Sequence, residues 1–340
     1  MRKIVLWTAI LLPVLFHNAC QEKESGVWMK LSGFTQGTTY NITYQTGDSS
    51  NYQAEIEQIL AGFDLSLSTY IDTSLISRFN QDETELSPDK YFETCFTCAD
   101  EVFRATGGAF DITVAPVVNA WGFGFTEAAE VDSALIESLL EYVGMEKVSI
   151  AGGIIRKEKE GVMLDMNAIA QGYAVDVLSD FLENEGLRNY LVEIGGELRT
   201  RGQNSRGTGW KVGIDRPIDG LQMPGVDMQA IVEISDRSLA TSGNYRRFYE
   251  KDGMKYSHTI NPVTGFPVQH GLLSTTVLAD DCMRADAYAT ALMVMGIERS
   301  MEFLQGQTDM DAYLIYNDDQ GQYSIWYTEG MKMLLVKGKD

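Results

Sequence analysis

Three histidines and four cysteines in 340 residues leave little from which to build a soft-metal centre. Cys95 and Cys98 make a C-x-x-C, but no second pair completes a zinc site, and no H-E-x-x-H occurs. Positive charge is also scarce. Lys and Arg number 27 against 48 Asp and Glu, for a net charge of -21. That balance argues against nucleic acid and anionic lipid as partners, and a phosphate-bearing ligand would need a cation to mediate. There is no G-x-G-x-x-G, no phosphate-binding G-x-x-x-x-G-K-[ST] and no G-x-S-x-G elbow. Dinucleotide folds of the Rossmann type, P-loop enzymes and ordinary acyl hydrolases are therefore unsupported. The sequence also lacks repeats, low-complexity stretches and a clear linker.

The long apolar run, Ile4 to Phe16, is too short for a comfortable membrane span and follows Arg2 and Lys3. Ala19-Cys20 comes next. Residues 1–19 are expected to be a signal peptide, Cys20 the lipidated first residue, 20–32 a tether, and 33–337 the folded domain. The expected location is the bacterial cell envelope, on the periplasmic side, with a membrane contact through the lipid anchor. Residues 33–46 alternate and are rich in Thr and Tyr, which predicts a strand. Ile56, Ile59, Leu60 and Phe63 have helical spacing, and a second helix over 88–105 stops at Gly107-Gly108. "AFDITVAPVV" reads as a strand, 132–142 as a helix, and "VMLD" as a strand ending at Asp165 before a helix from about Ala168. Strands predominate from 189, then come two helices and two closing strands. Without regular βαβ alternation, the fold class is α+β, a single compact unit with a largely antiparallel sheet flanked by helices.

Three places carry candidate chemistry. Asp286 and Thr290 lie four apart in an otherwise apolar helix, so they share one face. A buried carboxylate needs a partner: a cation, a metal ion or backbone donors. Both are oxygen ligands, which suit magnesium. Asp165 and Asn167, at a turn into a helix, either cap it or present a carboxylate to a ligand. His258, beside Thr259, Asn261 and a Pro-Gly turn, is either an acid or base or a hydrogen-bonded structural group. Cys95 and Cys98 sit in an amphipathic helical pattern, where packing or an incidental disulfide outweighs a redox or metal role. Cys282 reads as core.

"LSTYIDTSLISRFN", "TGGAFDITVAPVVNAWGFG", "LDMNAIAQGYAVD", "LVEIGGELRTRG", "SHTINPVTG" and "CMRADAYATALMVMG" occur in this order. Together they resemble the ApbE family of FAD:protein FMN transferases, over nearly the whole chain beyond residue 32. The resemblance implies a magnesium-dependent enzyme that splits FAD, releases AMP and attaches FMN by a phosphoester to a threonine. Its partners would be FAD and a target flavoprotein subunit whose acceptor lies in an Asp-x-x-[Ser/Thr]-Gly-[Ala/Ser]-Thr pattern. By the same resemblance the metal ligands are the Ala168 carbonyl, the Asp286 carboxylate and the Thr290 hydroxyl. The flavin nucleotide contacts are Gln36, Tyr70, Ala109, Phe110, Asp111, Asp165, Gln171 and Ile260. Gln36 stands where relatives often have Met, Gln171 where they often have Lys or Glu, and Ala289 where some have a further Asp. Asn261 stands where many have Asp, which leaves His258 as the candidate base. Three other readings stay open: an FAD pyrophosphatase with water as acceptor, a non-catalytic FAD-binding lipoprotein, and a structural lipoprotein in which Asp286 pairs with Arg284 or another cation.

Overall fold

The structure, a computed structural model, describes residues 26–124, 131–218, 225, 227–245, 248–251 and 254–336. The signal peptide, Cys20 and the first part of the tether lie outside the described residues.

The chain opens with a hairpin, β1 (Val27–Thr35) and β2 (Thr38–Thr46). The single strand expected over 33–46 is two strands, because Gln36 and Gly37 take positive φ (49° and 75°) and reverse the chain. β1 begins inside the expected tether, so residues 27–32 belong to the domain. Next come α1 (Gln53–Leu67), α2 (Leu75–Asn80) and α3 (Lys90–Thr106). Asp89 caps α3 through the Phe92 N–H, and Gly107 ends it in the left-handed region. The strand expected after Gly108 is instead a 3-10 turn over Ile112–Val114 leading into α4 (Ala115–Ala120). The β-branched residues suggested a strand, but Asp111 caps the turn and Pro116 sits in the first turn of α4.

α5 (Ser133–Leu140) and the small ribbon of β3 (Val148–Ala151) and β4 (Ile154–Lys157) follow. No strand ends at Asp165; that stretch is irregular up to α6 (Ala170–Asn184). The second half supplies β5 (Tyr190–Ile194), β6 (Glu197–Arg201), β7 (Trp210–Asp215), β8 (Met228–Ile234) and β9 (Ser238–Gly243). β10 (Phe248–Lys251), β11 (Met254–Ser257) and β12 (Leu272–Ala279) come next. The chain closes with α7 (Cys282–Met295), α8 (Ile297–Gln305), β13 (Asp311–Asn317), β14 (Tyr323–Tyr327) and a short α9 (Glu329–Leu334).

The main sheet has eight strands in the order β1-β2-β5-β6-β9-β12-β13-β14, and every pair within it is antiparallel. One core joins the β1, β2 and β5 part of the sheet to α1, α3 and α6, and a second packs α7 and α8 on β12 and β13. The β7–β8 ribbon and α9 cover the opposite face through Leu198, Val232, Leu278 and Met331. α7 is buried on nearly all sides, and each fully buried Leu or Met there contributes ~1.5–3 kcal/mol. It is the central beam against which α6 and the sheet are placed.

Among the described residues, no helix is long and apolar enough to cross a membrane. Cys95, Cys98 and Cys282 are free and buried, and burial raises all three thiols.

Candidate functional site

α6 packs against α7 so closely that there is no room for a side chain at Gly172. A Cβ there would stand 2.3 Å from the Cys282 carbonyl oxygen and 2.8 Å from the Asp286 Cβ. This approach brings the Gly172 N–H to the Asp286 Oδ2 at 3.1 Å. In an unbroken helix that N–H would bond to the carbonyl four residues back, which is Ala168. Here neither the Ala168 oxygen nor that of Asn167 before it receives a main-chain hydrogen bond among the described residues, while Met166 and Ile169 receive theirs; Asn167 is exposed to water and Ala168 is half-buried. One diverted N–H thus leaves two oxygens, the Ala168 carbonyl and the Asp286 carboxylate, undersupplied with donors beside one another.

Asp286 is only 6% exposed, and no Lys or Arg pairs with it among the described residues. Arg284 turns instead to Glu101 and Asp281, at 2.7 and 2.9 Å, which removes the expected structural alternative. Burial, opposed by the Gly172 N–H, pushes the Asp286 carboxyl up to about 7. One turn on, the Thr290 hydroxyl lies 3.0 Å from the Ser242 Oγ on β9. The donor set is therefore all oxygen: one buried carboxylate, one unsatisfied carbonyl and one positioned hydroxyl. Such a set fits a hard divalent cation such as magnesium, which keeps several waters and takes one or two carboxylates. No group of three or more acidic, His or Cys side chains that could hold a metal ion is present among the described residues.

Gln171 also reaches this region. A Cβ at Gly195 would lie 3.3 Å from its Nε2 and 2.9 Å from the Thr38 methyl. The β5–β6 turn at Gly195-Gly196 and the β1–β2 hairpin therefore border the seam between the helices. Gln36, on that hairpin, donates through Nε2 to the Asp64 Oδ1 at 3.4 Å, and its Oε1 is buried without a partner. Tyr70, just past α1, is 70% exposed.

A second group of residues lies along the 107–111 loop. Ala109 packs with Ala285 and Ala289 of α7, and Phe110 is buried. Asp111 accepts from the Thr113 N–H at 2.8 Å and hydroxyl at 2.5 Å, and burial pushes it up to about 6. It borders a cavity of about 500 Å³ with Phe103, Arg104, Gly107, Gly108 and Pro262. Asp165 is tied to this loop because its N–H donates to the Ile112 carbonyl at 2.7 Å. Its carboxylate accepts from the Asn167 N–H at 2.8 Å within the turn, and burial raises its pKa. α6 begins only at Ala170 and has no side-chain cap, so the expected capping by Asp165 or Asn167 is not found.

Ile260 sits apart from both groups in its described contacts, packed with Val117, Trp121 and Ile136. His258 lies near it, with the Phe123 ring 6.4 Å from its own. Asn261 spends its carbonyl oxygen on the Val263 and Thr264 N–H groups of its own turn. The structure thus gathers Ala168, Gln171, Asp286 and Thr290 at the seam, brings Gln36 to its border, and links Ala109, Phe110, Asp111 and Asp165 through one loop. It does not carry His258 or Ile260 to the seam by any described contact.

Two contributors escaped sequence reasoning. Gly172 could have been found as a glycine inside a helical pattern, where it costs stability unless packing requires it. Ser242 had no sequence signal, since only the β9 register brings it under Thr290.

The model of the ApbE family matches residues 36–314 of the chain. A FAD:protein FMN transferase from Vibrio cholerae is 38% identical over 322 residues, covering 92% of this chain and 94% of that protein. One from Escherichia coli K12 is 33% identical over 350 residues, covering 98% of each. Among solved structures, the flavin transferase ApbE of Vibrio cholerae superposes with TM-score 0.81 at 36% identity, covering 91% of this chain and all of that one. The apo flavinyl transferase ApbE of Pseudomonas stutzeri gives 0.81 at 32% identity, over 92% of this chain and 98% of that one.

Proposed function

Since the chain belongs to the ApbE family, we propose that it is an FAD:protein FMN transferase whose catalytic centre is the α6–α7 seam. The observation that carries the site assignment is the pairing of undersupplied oxygens on Ala168 and Asp286 around one diverted N–H. The reaction breaks the bond from the flavin-side phosphorus to the bridging oxygen of FAD, and AMP leaves. A bond forms from that phosphorus to a threonine oxygen of a flavoprotein partner, and the hydroxyl proton passes to a base.

Ala168, Asp286 and Thr290 would hold magnesium, which when bound supplies Lewis-acid neutralisation of the pyrophosphate and a template for in-line attack. Gly172 holds the Asp286 carboxylate through its N–H, and the close helix packing excludes water from that side. Ser242 fixes the Thr290 hydroxyl. Gln171, Gln36 and Tyr70 would contact the flavin nucleotide on one side. Ala109, Phe110, Asp111 and Asp165 serve it on the other, with Ile260 behind. His258 is assigned as proton acceptor because Asn261, its neighbour in the same loop, has no basic atom and is engaged in its own turn; a positioned base contributes ~100–10,000-fold. A location on the periplasmic side of the cell envelope, anchored through Cys20, belongs to the same proposal, as does membrane contact by that anchor.

The test incubates the purified chain with FAD, magnesium chloride and a flavoprotein subunit carrying the acceptor threonine. Flavin fluorescence should stay with the partner in a denaturing gel, one AMP should appear per flavin attached, and chelation should stop both. AMP with a dark partner would turn the assignment to FAD hydrolysis. Neither product, with FAD recovered intact, would leave only flavin binding.

A further inference from the structure

The main sheet is not continuous. β6 and β9 are neighbours, yet their ladder consists of Leu198↔Leu239 and Arg199↔Ser238 and then stops. Beyond it β6 turns back through Gly196 and Gly195 into β5, while β9 continues through Ala240, Thr241, Ser242 and Gly243. The two edges enclose a slot in the sheet. α6 lies over the β5–β6 side of it and α7 over the β9–β12 side, so the slot opens beneath the seam that holds Asp286.

Two hydrogen bonds fix which main-chain groups of β9 face this slot. The Asn244 N–H donates to the Leu273 oxygen at 3.1 Å, on the β12 side. The pairs Ser242↔Thr275 and Ala240↔Val277 follow at steps of two. The Thr200 N–H donates to the Arg237 oxygen at 3.0 Å, on the β6 side. Because an antiparallel strand alternates its bonds, the even-numbered residues of β9 serve β12. Arg237, Leu239, Thr241 and Gly243 therefore turn their N–H and C=O groups the other way. Leu239 meets β6. The main-chain groups of Thr241 and Gly243 have no ladder partner on that side and no loop hydrogen bond among the described residues, and both residues are half-buried rather than exposed.

An open strand edge inside a folded protein is a template for another strand. We infer that the slot receives an extended segment of the acceptor protein, which adds to β9 through the main-chain groups of Thr241 and Gly243. This rests on the transferase reading and names how the second substrate is held. The unpaired groups recur every second residue, the period of an extended backbone. The facing wall is Gly195 and Gly196, which add no side chain of their own, with Thr38, Gln171 and Glu197 reaching the Gly195 end of it. Side chains of an added strand alternate between the faces of the sheet. On one face lie α6 and α7, towards which Ser242 already points to meet Thr290. A threonine one step along the added strand, on that same face, would present its hydroxyl to the Asp286–Thr290 stripe. The edge thus sets register as well as affinity.

The test uses the full chain with FAD, magnesium and synthetic peptides of the Asp-x-x-Ser-Gly-Ala-Thr pattern, N-methylated at one backbone amide at a time. Methylation of amides on the parity that faces β9 should lower kcat/KM for transfer by about tenfold or more, and methylation on the other parity by about threefold or less. A second peptide, with valine in place of the acceptor threonine, allows amide exchange to be read without turnover. It should slow exchange of the Thr241 and Gly243 amides by about tenfold or more and leave Ser242, already bonded to β12, unchanged. Equal effects on both parities, or no added protection of Thr241 and Gly243, would overturn the inference. So would full protection of these amides by FAD and magnesium alone, which would make the slot a phosphate subsite. A partner protein that is labelled while every peptide is neither labelled nor protective would overturn it too. In each of these cases continued transfer to the whole flavoprotein leaves the transferase reading standing, whereas absence of transfer to that protein defeats the reading itself.

Discussion

Two buried aspartates lie about one turn apart in the same helix seam, and they are treated differently. Asp176 on α6 accepts the Cys282 and Met283 N–H groups at 3.0 and 2.8 Å and the Arg199 guanidinium at 3.1 Å. It closes the N-terminus of α7, where free N–H groups favour a carboxylate. Asp286, about one turn further along α7, has the Gly172 N–H alone among the described residues. Burial raises both, Asp176 to about 6 and Asp286 to about 7. A carboxylate supplied with donors on every side is part of the scaffold. One that the fold encloses and leaves short of donors is waiting for a ligand, and the difference separates a structural part of the seam from a reactive one.

The sharpest break in that comparison is removal of the undersupplied carboxylate. Asp286→Asn should lower FMN transfer by about a thousandfold, equivalent to ~4 kcal/mol, while the melting temperature of the metal-free protein at pH 8 holds or rises. A matching loss of stability would place Asp286 with the scaffold. Asp176→Ala should do the reverse. It should destabilise the protein by ~2–4 kcal/mol in a denaturant titration, since two helix N–H groups and Arg199 lose a partner, with transfer per folded molecule kept within a few-fold. Ser242→Ala should weaken magnesium affinity, read by calorimetry, by about tenfold, the usual size for a group that orients a ligand; Ser242→Thr should recover most of it.

The smallest effect belongs to Asp111, which isolates burial from the seam. Its native pKa of about 6 lies above the ordinary ~3.9. The native state therefore holds the proton more tightly than the unfolded chain. The resulting stability is fully present below pH ~4 and is lost as pH rises towards 6. Asp111→Asn should flatten the stability profile across that window by on the order of 1 kcal/mol, and an unchanged slope would show that its carboxyl titrates normally.

The Asp286–Thr290 stripe was legible in the sequence because a helix imposes a period of 3.6, and polar groups that share a face stand out against Ala, Leu and Met. The order of the quoted motifs gave the family. Local pattern failed where long-range contacts decide. Residues 112–120 carry strand-like Ile, Thr and Val, yet fold as a 3-10 turn and helix fixed by Asp111 and Pro116. The Gln36-Gly37 reversal is hidden inside a continuous Thr and Tyr alternation. Neither Ser242 nor the slot beside β9 has a local signature. Both arise from where two strands some 40 residues apart stop pairing, and register of that kind is set by the packing of α6 and α7 rather than by either strand.

The diverted N–H of Gly172 has a consequence for how this protein can change. α6 begins with the Gly172 N–H diverted from its ladder and with a glycine, two defects that a search for more stable variants would repair first. Restoring the bond to the Ala168 carbonyl would release Asp286 from its only donor among the described residues and give the carbonyl a partner it is meant to lack. Any side chain at residue 172 would push the helices apart. Improvement of the helix and retention of the site are therefore opposed at a single peptide group, and selection for thermal tolerance should find its gains elsewhere in the fold.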